Sequence, residues 1–74
     1  MKIGDKVIFT DAVGNFHYAL VTAVWGQGET PSLNVVYVSD DESQTDQYGR
    51  QITRATSVVH ESNQHAHGMK WRKA

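Results

Sequence analysis

Apolar and polar positions alternate in short runs along the first 60 residues, separated by glycine, proline and acidic clusters. After a turn at Gly4 and Asp5, Val7 and Phe9 alternate with Lys6, Ile8 and Thr10, and this period of two predicts a strand over 6–10. Gly14 and Asn15 break the chain before its longest β-like run, 16–25. There Phe16, Tyr18, Leu20 and Val24 share one face, while Ala19, Val21, Ala23 and Trp25 share the other. Gly26, Gly28 and Pro31 mark a loop. A third strand over 34–39 is again apolar on both faces, with Val35 and Tyr37 opposite Val36 and Val38. The polar segment 40–46 reads as a loop, followed by a strand over 51–55, a turn at Thr56 and Ser57, and a last strand over 58–60.

Five short strands and a Gly-Asp-Lys-Val opening predict an all-β fold, a small SH3-like five-stranded barrel over residues 1–61 with a basic C-terminal tail over 62–74. An OB-like barrel or a hairpin-rich sandwich is the alternative. Composition favours strands: nine valines stand against two leucines, and Val, Ile and Thr together number 18. At 74 residues a monomer buries only about 60% of the surface its unfolded chain exposes. With no cysteine, no disulfide supplements that core and no thiolate zinc site can form. Two-faced apolar strands need cover on the second face, from the tail or from another subunit, so a homo-oligomer is expected. The longest uninterrupted apolar runs are four residues, and no charged-then-apolar leader opens the chain; a soluble, cytosolic protein with no membrane partner is expected.

Candidate chemistry is sparse. His65 and His67 form a His-X-His pair, but no carboxylate or thiol stands at ligand spacing beside it, and no metal or other cofactor is expected. Asp40, Asp41, Glu42 and Asp46 lack the glycine and terminal acid of a calcium loop and suit a solvated turn. No nucleophile elbow and no phosphate-cradling glycine signature occurs, so an enzyme is not expected. The segment 46–60 is richer. Arg50 and Arg54 can fork onto phosphate, Tyr48 offers a ring for stacking, and Thr56, Ser57 and His60 offer further polar groups. The same arginines equally suit solvent-facing strand positions paired with Asp46 or Glu42. With net charge −1, a small anionic ligand fits better than a long nucleic acid, which relies on excess basic charge.

The phrases Ala19-Leu20-Val21-Thr22-Ala23-Val24-Trp25-Gly26 and Asn34-Val35-Val36-Tyr37-Val38-Ser39 resemble those of a group of short phage-encoded proteins. So do the Asp-Gln-Tyr-Gly-Arg-Gln and Arg-Ala-Thr-Ser-Val-Val-His segments and the His67-Gly68-Met69-Lys70-Trp71 ending. Through that group the chain is similar to the viral anti-CBASS sponge proteins. The resemblance spans nearly the whole chain. It implies an oligomer in the host cytoplasm that sequesters a cyclic nucleotide second messenger without cleaving it. Trp25, Tyr48, Arg50, Arg54, Thr56, Ser57, His60 and Trp71 are the ligand-binding candidates on the matching segments. Two other functions remain open: a protein-interaction module whose groove uses Tyr18, Trp25, Tyr37 and the tail, or a single-stranded nucleic-acid binder.

Overall fold

Strand alternation decides what lies inside the barrel. A computed structural model describes residues 1–63 and 68–74; the His65 and His67 pair lies outside the described residues. The strands are β1 (Lys6–Thr10), β2 (Phe16–Trp25), β3 (Ser32–Val38), β4 (Thr45–Asp46), β5 (Gly49–Arg50), β6 (Ile52–His60) and β7 (Lys70–Lys73). No helix occurs among the described residues, so none there is long and apolar enough to cross a membrane. β1, β2, β3, β6 and β7 close into a barrel in that order, consistent with the expected small SH3-like form. All neighbours are antiparallel except β6 and β7, which run parallel. Inward positions Val7, Phe9, Ala19, Val21, Leu33, Val35, Ala55, Val58 and Trp71 form the core. Closure removes the free edges that a small open sheet would present.

Two expectations are revised. First, 52–60 is one continuous strand, kinked at Ser57 (φ 54), rather than two strands joined by a turn. The segment expected to be the fifth strand is therefore the end of the fourth, and the barrel is closed by β7, from within the expected tail. Phe9 faces Trp71 across the β1–β7 ladder, and His60 faces it across β6–β7. Trp71 is 0% exposed and its indole N–H donates to the Pro31 carbonyl at 2.9 Å. Most other core side chains are aliphatic or alanine, and the indole supplies bulk that the barrel otherwise lacks. In Lys-Trp-Arg-Lys a single apolar residue among cations carries no readable period.

Second, β2 changes face midway. Its pairing with β3 shifts between Val21 and Ala23, so Thr22 is an extra residue, a β-bulge. A one-residue slip exchanges inside and outside. Val24 accordingly packs against the core, and Trp25 emerges with 55% of its surface exposed, reversing the faces expected for both. The acidic segment also contains structure: β4 and β5 make a small hairpin with Tyr48 at its tip. The second apolar face is real and stays open in the single chain. Phe16, Tyr18, Leu20, Val38 and Ile52 are all exposed, and the C-terminal segment closes the barrel instead of covering them.

Candidate functional site

The most distinctive surface feature stands where two bulges meet. Opposite Thr22, the β3–β6 pairing shifts between Leu33 and Val35, adding a residue to β6 around Thr56 and Ser57. Asn34, in the middle of the sheet, therefore faces an extra residue on each neighbouring strand. Bulges bend a strand and re-aim its side chains, and they recur beside functional sites. Here they open a hollow of about 340 Å³ lined by Thr22, Ala23, Asn34, Val35, Val36, Arg54, Ala55 and Thr56.

Asn34 holds the two bulges together. Its side-chain Oδ1 accepts the backbone N–H of Ser57 at 2.9 Å and the indole N–H of Trp25 at 2.9 Å. The first bond satisfies a backbone donor at a non-glycine residue in the left-handed region, a conformation that costs an L-residue roughly 1–2 kcal/mol. The second fixes the exposed Trp25 indole against β3. Strain retained at a surface bulge is a recognised companion of binding sites. Chemically the hollow offers one guanidinium, two threonine hydroxyls and an amide beside an aromatic ring: groups that bind an anion and stack on a base.

Four of the eight sequence candidates, Trp25, Arg54, Thr56 and Ser57, thus gather at Asn34. The other four lie elsewhere. Tyr48, 88% exposed, and Arg50 belong to the β4–β5 hairpin. That hairpin lies beyond the Val38 end of β3, about 13 Å of strand from Asn34 at 3.3 Å per residue. Arg50 is also occupied: Nε donates to Thr45 Oγ1 at 3.1 Å and Nη1 to the Ser39 carbonyl at 3.0 Å, pinning the hairpin to the end of β3. His60 packs edge-on against Trp71, with centroids 4.6 Å apart, and its Nδ1 accepts the Ser62 backbone N–H at 3.1 Å. Trp71 is a core residue with no surface for a ligand, which corrects its place among the candidates.

Asn34 and Thr22 were missed by sequence reasoning. The available signals were an asparagine, a poor strand former, at the head of an apolar strand, and a single threonine interrupting the apolar run 18–25.

Comparison with protein-family models, curated proteins and solved structures finds no match to this chain.

Proposed function

We propose that the protein captures a small phosphate-bearing nucleotide at the Asn34 hollow and holds it intact, acting as a phage anti-defence sponge for a cyclic nucleotide messenger in the host cytoplasm. The observation that carries this reading is one hollow organised by paired bulges and lined by Arg54 and Thr56, with the Trp25 indole bonded to the lining residue Asn34. Arg54 supplies charge-assisted bonds to phosphate, the threonine hydroxyls add neutral ones, and Trp25 offers a stacking surface. The resemblance to anti-CBASS sponges supplies the ligand class.

At about 340 Å³ the hollow lies at the low end for small-molecule sites, enough for part of a cyclic dinucleotide. A second copy of the chain completes the enclosure. Val36 lines both the hollow and an adjoining groove formed with Tyr18, Leu20, Val38 and Ile52, so a subunit seated on that exposed apolar row also walls the site. The test is a thermal-shift panel of cyclic dinucleotides and cyclic ADP-ribose isomers, with mass measurement of the assembly. A shift with at least one messenger, recovered unchanged after denaturation, is expected. A hydrolysed product, or no response across the panel, would falsify the reading.

One observation favours a second reading, a single-stranded nucleic-acid surface. Phe16 and Tyr18 are exposed on the outside of β2, with Arg72 5.1 Å from the Phe16 ring centroid and Lys6 Nζ 4.9 Å from that of Tyr18. Aromatic platforms beside cations suit stacked bases and phosphates. Steep salt dependence and a preference for oligonucleotides would mark it. The groove needed by a protein-interaction module fares worse, because Tyr37 turns inward to pack on Phe9 and His17, away from exposed Tyr18 and Trp25.

A further inference from the structure

Asp11, His17 and Asp40 bring three metal-ligating side chains together, away from the hollow. One ligand atom from each lies within 4.8 Å of the other two. Asp11 follows β1, and its Oδ1 accepts the backbone N–H groups of Val13 (3.0 Å) and Asn15 (2.9 Å). This fixes the carboxylate so that Oδ2 faces His17 Nε2 at 2.8 Å. The His17 ring is 7% exposed and is held by Tyr37 and Phe9, with centroids at 4.6 and 5.9 Å. Asp40, from the segment after β3, brings its own Oδ2 to 3.4 Å from the same nitrogen, where Asn15 Nδ2 also reaches it at 3.4 Å.

One imidazole nitrogen carries at most one proton and makes one strong hydrogen bond, yet two carboxylate oxygens from separate loops converge on it. One imidazole nitrogen and two carboxylate oxygens form a familiar donor set for divalent first-row ions. Ligand bonds of about 2.1 Å place ligand atoms about 3–3.5 Å apart; the two separations to His17 Nε2, 2.8 and 3.4 Å, are close to that, and the two carboxylate oxygens lie within 4.8 Å of each other. The ring is prepositioned by its neighbours, while Asp40, 58% exposed, leaves the outer side open to water as a further ligand.

We propose that Asp11 Oδ2, His17 Nε2 and Asp40 Oδ2 bind a divalent transition-metal ion of the zinc class, tying the β1–β2 turn to the segment that leads into the β4–β5 hairpin. The proposal is independent of nucleotide capture.

The test uses the untagged full chain, stripped of metal with a chelator and titrated with zinc chloride by calorimetry, with thermal melting in parallel. One ion per chain and a raised melting temperature are expected. Asp40→Asn keeps the part-buried His17–Asp11 contact and should weaken zinc binding roughly tenfold or more. The double replacement His65→Ala and His67→Ala should leave stoichiometry and affinity unchanged. Absence of zinc binding, wild-type affinity in Asp40→Asn, or loss of binding in the His65/His67 variant overturns the site. Because Asp40 is exposed, the decisive variant folds even where replacing His17 does not.

Discussion

Asn34→Ala removes the acceptor shared by the Ser57 backbone N–H and the Trp25 indole while leaving the barrel interior untouched. Each lost hydrogen bond is worth about 1 kcal/mol net. Both lie at the surface, where water replaces part of the loss, so the pair amounts to about 1–2 kcal/mol. A domain of this size loses roughly 4–8 °C of melting temperature per kcal/mol, and Asn34→Ala should melt roughly 4–16 °C lower. Asn34→Asp separates structure from function. Its carboxylate accepts both bonds, so melting should change little, but it sets a negative charge in the hollow beside Arg54 and should weaken capture of an anionic ligand. Thermal melting with nucleotide titration of both variants provides the comparison. Wild-type melting in Asn34→Ala would show that the bulges hold without Asn34. Wild-type nucleotide affinity in Asn34→Asp would remove the hollow from the binding site.

Trp71→Ala empties the largest core position at a cost of about 3–5 kcal/mol, against a total of roughly 4–11 kcal/mol for 74 residues. Lost near-ultraviolet circular dichroism at 37 °C is expected, and a dispersed NMR spectrum would contradict a barrel closed by β7. Arg54→Ala should abolish most nucleotide affinity with the fold intact. Arg50→Ala should instead loosen the β4–β5 hairpin, seen as faster amide exchange around Thr45 and Arg50, with affinity largely retained. The opposite ranking would place the site on the hairpin. Ser57→Gly relieves the left-handed backbone and should stabilise the fold by about 0.5–1 kcal/mol, whereas Ser57→Val should destabilise it; a lower melting temperature for the glycine variant refutes a strained kink.

The barrel class was legible because Val7 and Phe9, and Ala19 and Val21, follow the period of two and are buried, as is Val35, with Tyr37 packed against the core. Legibility failed where one residue breaks that period. Thr22 inverts the faces of Val24 and Trp25, and nothing in the local pattern distinguishes an extra residue from a continued strand. At Thr56 and Ser57 the polar pair has the composition of a turn, but the chain passes through it as a bulge held by Asn34, 23 residues away in sequence. The candidate site was half legible for the same reason. Arg54 and Thr56 were identifiable by chemistry and Trp25 through the resemblance, but their meeting around Asn34 depends on the two register shifts. The Asp11, His17 and Asp40 group joins residues from a turn, a strand and a loop that share no sequence spacing.

The filled interior determines where function can sit. A barrel of five strands is narrower than the eight-stranded barrels whose interior just holds side chains or one small ligand. Here Phe9 and Trp71, with seven smaller residues, form the core of that interior, and the hollow lies on the outside. Only a bend makes an outer sheet face concave, and the paired bulges at Asn34 supply it. The resulting hollow is shallow, and its missing wall adjoins the apolar row of Tyr18, Leu20, Val38 and Ile52, side chains that gain by leaving water. Under the proposed function, self-association and ligand enclosure would draw on the same surface. It follows that nucleotide should stabilise the assembly, and that a charge placed on that row, such as Leu20→Glu, should weaken capture without contacting the ligand.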